Sequence, residues 1–166
     1  MKKNIIFVED RSYGITAADG FLRRIPDVNI LFTGGNLDQV QAYLKTYRPP
    51  KDEKVVIVTC GTFDSSPSPV GNGFDMTASW LADLYKNLKH KGQLDQFDFK
   101  NITIVANPVF ENRLEDNFIP FYLLNQTCQQ LGVPLIKHPK MMGAESMVAQ
   151  IQQVWREGGT SPQMKR

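Results

Sequence analysis

Two acids, Glu9 and Asp10, stand side by side directly after the apolar run Ile5-Ile6-Phe7-Val8. Carboxylates at the end of a buried strand can hold a hard divalent cation such as Mg²⁺, although acids also punctuate strand ends as solvated turn residues. A second set of reactive side chains is more scattered: Cys60 after Thr59, Asp64 in the stretch that follows, and His138 beside Lys137. An imidazolium beside a thiol lowers its pKa and makes it a nucleophile, so Cys60 with His138 is a candidate pair for thiol chemistry. Gly71-Asn72-Gly73 is glycine-rich but falls in loop-like sequence, which makes it a weak phosphate-cradling signal. Cys60 and Cys128 are far apart and form no CxxC pair, so the expectation is two buried free thiols rather than a disulfide or a zinc site.

To bring these groups together, a chain must set the ends of several strands along one edge. A continuous apolar run, as buried parallel strands require, occurs at Ile5–Val8, and similar runs stand at Val28–Phe32, Val55–Val58 and Ile102–Val105, the first and last of these three interrupted by Asn29 and Thr103. A fifth, Val133–Ile136, contains Pro134; having no ladder donor, the proline places this strand at a sheet edge or starts it nearby. Between the runs, apolar residues recur at three-and-four spacing over Ile15–Ile25, Leu37–Tyr47, Thr77–Leu88, Ile119–Leu131 and Ala144–Trp155. Asn36 is a plausible N-cap, and Pro120 is tolerable in a first turn. Strands alternating with helices imply an α/β fold, a doubly wound five-stranded parallel sheet of order 2-1-3-4-5, with ligands expected at the carboxyl ends of the strands. Two long connections leave that edge, Gly61–Asp75 and Asn107–Phe118. Loops of that length in a compact domain are commonly functional.

The residues along this edge resemble a known family. Lys3-Asn4-Ile5-Ile6-Phe7-Val8-Glu9-Asp10 is similar to the opening of a response-regulator receiver domain, where the acids after strand 1 bind Mg²⁺. Thr33-Gly34-Gly35-Asn36-Leu37 looks like the small-residue turn into helix 2. Lys137-His138-Pro139 resembles the Lys-Pro of strand 5, where in that family the lysine contacts the phosphoryl group and the following bond is often cis. The resemblance spans residue 3 to about residue 157 and implies a flavodoxin-like fold.

The chain departs from that family where phosphorylation chemistry is done. Thr59 falls in the acceptor slot, with Cys60 the alternative, and neither is a carboxylate. A threonine cannot form the labile acyl phosphate on which receivers depend. Strand 4 ends in Ala106, then Asn107, where the family has Ser or Thr. His138 directly precedes the proline and takes the lysine slot if Pro139 sets the register; strand alternation turns only one of Lys137 and His138 inward. The resemblance therefore implies a degenerate receiver, a phosphorylation-independent signalling domain with a pocket formed by Glu9, Asp10, Thr59, Cys60, Ala106, Lys137 and His138. Asp64 is a possible displaced acceptor, and Mg²⁺ a possible ligand of Glu9 and Asp10. A protein partner would bind the helix 4–strand 5–helix 5 face, through Phe121, Tyr122, Lys137, Lys140, Met141 and Met142. The alternatives are a small-ligand-binding or thiol-dependent enzyme on the same fold, or an active phospho-receiver that uses a displaced acceptor such as Asp64.

Composition narrows the classes. Hydrophobic residues make up 42% and charged residues 22% of the 166, as in globular proteins generally. A net charge of +2 gives no nucleic-acid footprint, and Lys86, Lys89, His90 and Lys91 read as a solvated helix end. No apolar run approaches the ~20 residues of a membrane span, and the first residues lack the apolar stretch of a signal peptide, so a cytoplasmic location is expected. The expected organisation is one receiver-like domain over residues 1–157, followed by a polar, disordered tail over 158–166.

Overall fold

The computed structural model describes residues 2–10, 19–20, 24–25, 27–60 and 72–157. Five parallel strands, β1 (Lys3–Val8), β2 (Val28–Phe32), β3 (Lys54–Thr59), β4 (Ile102–Ala106) and β5 (Leu135–Lys137), form one sheet of order β2-β1-β3-β4-β5. The helices that cover it are α1 (Leu37–Thr46), α2 (Asn72–His90), α3 (Ile119–Leu131) and α4 (Gly143–Arg156). This is the expected flavodoxin-like α/β arrangement.

Position in the sheet explains strand sequence. The central β1, β3 and β4 are buried on both faces and almost wholly apolar, whereas edge strand β2 alternates buried and exposed residues. In β1 and β3 alternate residues divide between two cores. Ile6, Val8, Val55 and Ile57 pack with α1, α2 and α3, while Ile5, Phe7, Val56 and Val58 pack with Met147, Val148, Ile151 and Val154 of α4. β5 begins after Pro134, whose carbonyl accepts from the Ile104 N–H at 2.9 Å. The strand expected over Val133–Ile136 is thus displaced to Leu135–Lys137 by the proline's missing donor.

The ends of α1 and α3 follow local chemistry. Asn36 caps α1 in a full capping box with Gln39; Pro120 occupies the first turn of α3 and Gly132 closes it at φ 73°. The start of α4 is offset by one residue from the expected Ala144. The start of α2 corrects the sequence reading: the stretch to Asp75, expected as loop, is helical from Asn72, five residues ahead of Thr77. Gly73 and Asn72 discourage a helix locally, but Phe74 is fully buried and Gly73 lies against β3, so tertiary packing prevails.

Of the helix expected over Ile15–Ile25, Asp19, Gly20 and Arg24 are described and helical. Gly20 approaches α4, where an added Cβ would come within 3.0 Å of the Ala144 Cβ. The tail expected over 158–166 lies outside the described residues.

Candidate functional site at the carboxyl edge of the sheet

The ends of β1, β3, β4 and β5 converge through short backbone links. Asn107 N–H donates to the Thr59 carbonyl at 2.7 Å, and His138 N–H to the Ala106 carbonyl at 2.9 Å. Beyond the last strand, Lys140 N–H donates to the Pro108 carbonyl at 2.8 Å, which folds the chain back over the strand ends. On the other side, Gly35 N–H donates to the Glu9 carbonyl at 3.1 Å. Gly34 has φ 95°, and a Cβ there would lie 2.5 Å from the Glu9 carbonyl oxygen. The Gly34-Gly35 turn is needed for this approach, beyond any general use in opening a helix.

Within this frame Glu9 is fully buried, and its Oε1 accepts from the Lys140 ammonium. The same Nζ donates to Asn107 Oδ1 at 2.9 Å. Asn107 then turns its amide nitrogen to His138, donating to the backbone carbonyl at 2.5 Å and lying 3.2 Å from Nδ1. With Nδ1 as acceptor, the imidazole is neutral with its proton on Nε2. Burial lowers the His138 pKa against the opposing effect of a backbone hydrogen bond, and the Lys140 charge adds to the lowering, so the neutral form is favoured. Burial raises the Glu9 pKa, while Lys140 pulls it back through its charge and its hydrogen bond. Glu9 Oε2 and His138 Nε2 are buried with no hydrogen-bond partner among the described residues.

The expected site residues divide accordingly. Glu9, Ala106 and His138 meet at this edge, and Asp10 follows Glu9 at 9% exposure. Thr59 is buried, with its hydroxyl bonded to Thr77 Oγ1 at 3.0 Å. Lys137, expected as an alternative pocket cation, instead lies over the Phe121 ring at 5.4 Å, on the α3 side. Strand alternation decides this: Lys137 shares its face with Leu135, and His138 turns inward. The cation of the pocket is Lys140, which the sequence reading had placed on the partner surface. Counting from the proline could not find it, because the 3₁₀ turn Lys140–Met142 brings the side chain back over the edge. The bond before Pro139 is trans. Asp64 lies outside the described residues.

Two candidate chemistries fit poorly. A divalent cation at Glu9 and Asp10 would meet the Lys140 ammonium already on Glu9 Oε1, the β3 slot holds a hydroxyl in place of a third carboxylate, and no group of three metal-donor side chains occurs among the described residues. The residues present do not fit Mg²⁺. For Cys60, burial raises the thiol pKa, the charge on Glu9 adds to the rise, and Sγ donates to the Val8 carbonyl at 3.7 Å. That environment works against the thiolate a nucleophile needs.

Part of the expected partner surface is also corrected. Phe121 is fully buried in the core. Tyr122, Met141 and Met142 are exposed, together with Ile119 and Leu123, which share the outer face of α3 with Tyr122. The spacing 119, 122, 123 was a helical stripe readable from sequence. No helix among the described residues is long and apolar enough to cross a membrane.

Searches of protein-family models, curated proteins and solved structures give no match to this chain.

Proposed function

We propose that this chain is a receiver-like signalling domain that works without phosphorylation and transmits its signal by binding a protein partner. The observation that carries the reading is the Lys140 ammonium bonded to both Glu9 and Asn107, at the edge where a receiver would hold Mg²⁺ and a phosphoryl group. A cation tethered to the chain neutralises the buried acid permanently, so the edge needs neither a metal nor a charged modification to be complete. Thr59 in the acceptor slot supports the same conclusion, since its hydroxyl is buried and taken up by Thr77. The partner surface in this reading is the α3–β5–α4 face, with Tyr122, Met141 and Met142 as exposed apolar contacts.

The test is to incubate the purified protein with Mg²⁺ and a small acyl-phosphate donor and record its intact mass. An unchanged mass is expected. A gain of one phosphoryl group that hydroxylamine removes would overturn the reading and direct attention to a carboxylate acceptor, Asp64 first.

A further inference from the structure

Lys45, Arg48 and Lys86, along the groove between α1 and α2, are exposed to solvent. In the carboxyl-edge network each group instead fixes what its neighbour can do. The Lys140 ammonium has only donors, so Asn107 turns its oxygen toward it. The His138 carbonyl has only lone pairs, so the amide turns its nitrogen there. Asn107 is therefore fixed end for end, and its amide nitrogen also faces His138 Nδ1 at 3.2 Å, where the ring must accept. A proton on Nδ1 would set donor against donor. Turning the amide over would set its nitrogen against the Lys140 ammonium. In this arrangement an imidazolium at His138 and the ammonium of Lys140 exclude each other.

Two further atoms of the network are complementary. Glu9 Oε2 is a buried acceptor and His138 Nε2, carrying the ring proton, a buried donor, and neither has a hydrogen-bond partner among the described residues. The two basic side chains also differ in how they are held. His138 is 1% exposed and its N–H is tied to the Ala106 carbonyl. Lys140 lies beyond the strand on a 3₁₀ turn, with its side chain 18% exposed, and so has a route to water.

We propose that the edge is an acid-operated switch in which a proton on His138 displaces Lys140 as the counter-charge of Glu9. The proton comes from solvent and binds Nδ1. Asn107 loses its acceptor on the ring, Lys140 swings outward to water, and the imidazolium presents Nε2–H to Glu9 Oε2. The buried acid keeps a chain-borne cation in both states, so neither leaves it unpaired, which would cost several kcal/mol. The proton binds weakly with Lys140 in place and tightly once it has left, and that difference shifts the population. The other titratable groups of the edge are Asp10 beside Glu9 and the Cys60 thiol after β3. Lys137 faces away over Phe121, and Glu145, in the first turn of α4, is exposed and paired with Arg24. The turn that carries Lys140 continues into Met141 and Met142, so acid rearranges two contacts of the proposed partner face. That consequence rests on the partner reading; the exchange of cations does not.

The test is an NMR titration of the isotope-labelled full chain from about pH 8 to about pH 5, the range in which histidine changes charge. Exposed His90 is replaced (His90→Gln) so that His138 is observed alone. At the alkaline end the ring nitrogens are expected to report the Nε2–H tautomer. On acidification the ring, the Asn107 side-chain amide and the Lys140 ammonium should move with one midpoint, and exchange of the ammonium protons with water should quicken. Lys140→Met should tighten proton binding to His138 by about ten-fold, because the coupling is reciprocal. His138→Gln should remove the Lys140 transition from this range. Circular dichroism shows whether each variant is folded; if His138→Gln is not, the shared midpoint and the Lys140→Met shift decide. A Lys140 transition that survives His138→Gln unchanged would assign the event to Glu9 and overturn the proposal. So would an Nδ1–H tautomer at neutral pH, an unraised His138 midpoint in folded Lys140→Met, or a ring that takes no proton before the chain unfolds. A ring that protonates while Asn107 and Lys140 stay unmoved, as a simple turn of the imidazole would produce, also overturns it. No partner or phosphodonor is in the sample, so failure here is distinct from failure of the receiver-like reading.

Discussion

The carboxyl edge of the sheet and the α1–α2 groove both hold charged side chains, and they handle them in opposite ways. At the edge, Glu9 is fully buried and Lys140 is bent over it, with Asn107 bridging to His138. In the groove, Lys45, Arg48 and Lys86 stand at the exposed rim over a buried floor. A charge in a low-dielectric interior must find its counter-charge within the chain, because leaving it unpaired costs several kcal/mol. A charge at the rim is solvated already and needs no counter-charge from the chain. The edge is therefore closed by its own residues, whereas the rim charges of the groove are satisfied by solvent.

The sharpest way to break this contrast is Lys140→Met. It removes the counter-ion of a buried carboxylate and should cost about 3–5 kcal/mol of stability at neutral pH, read from urea unfolding. Loss of less than about 1 kcal/mol would show that the edge is solvated like the groove. The companion variant Lys140→Met with Glu9→Leu should recover much of the loss, because it removes both charges together.

The pH dependence sharpens the same point. Burial raises the folded pKa of Glu9 above its ordinary 4.5, so between those two values the folded state binds more protons than the unfolded one. Stability from this group is then fullest below the unfolded value and declines as pH rises toward the folded one. Glu9→Gln should remove that part of the slope. Lys140→Met, which takes away the influences holding the Glu9 pKa down, should carry the decline to higher pH. Urea midpoints measured across a pH series check both signs.

Smaller effects follow along the network and then in the groove. Asn107→Leu loses the bridge between Lys140 and His138 and should cost about 2–3 kcal/mol, since partners at a buried site are left unmade. Gly34→Ala forces a left-handed backbone angle and a Cβ against the Glu9 carbonyl, for roughly 1–3 kcal/mol in thermal unfolding. At the rim, Arg48→Gln with Lys86→Gln should move stability by no more than about 0.5 kcal/mol, as surface changes usually do. An effect there as large as that of Asn107→Leu would mean that the rim cations serve the fold.

The sheet was legible in the sequence because its signals are local. The apolar runs at Ile5–Val8 and Val55–Val58, and the run Ile102–Val105 broken only by Thr103, suit central parallel strands buried on both faces, and Pro134 marks an edge. The first turn of α2 was not legible, since Gly73 reads as a breaker until β3 is seen to press against it: a Cβ at that position would lie 2.0 Å from the Cys60 carbonyl oxygen. Glu9 was found because it ends a strand. Lys140 was assigned to the surface because a long side chain after a short 3₁₀ turn can reach either way, and only the packed edge decides its direction. Phe121 and Tyr122 are neighbours in sequence with opposite fates, one in the core and one exposed, which the helix's rotation about its axis determines.

The central claim is that Lys140 fills the place of a divalent cation beside Glu9. The measurement that tests it most directly is a Mg²⁺ titration of the natural chain and of Lys140→Ala, followed by the amide shifts of Glu9, Asp10 and Asn107. The account predicts no saturable response in the natural chain, and a gain of cation affinity in a folded Lys140→Ala protein. Saturable Mg²⁺ shifts at Glu9 and Asp10 with Lys140 in place would contradict it.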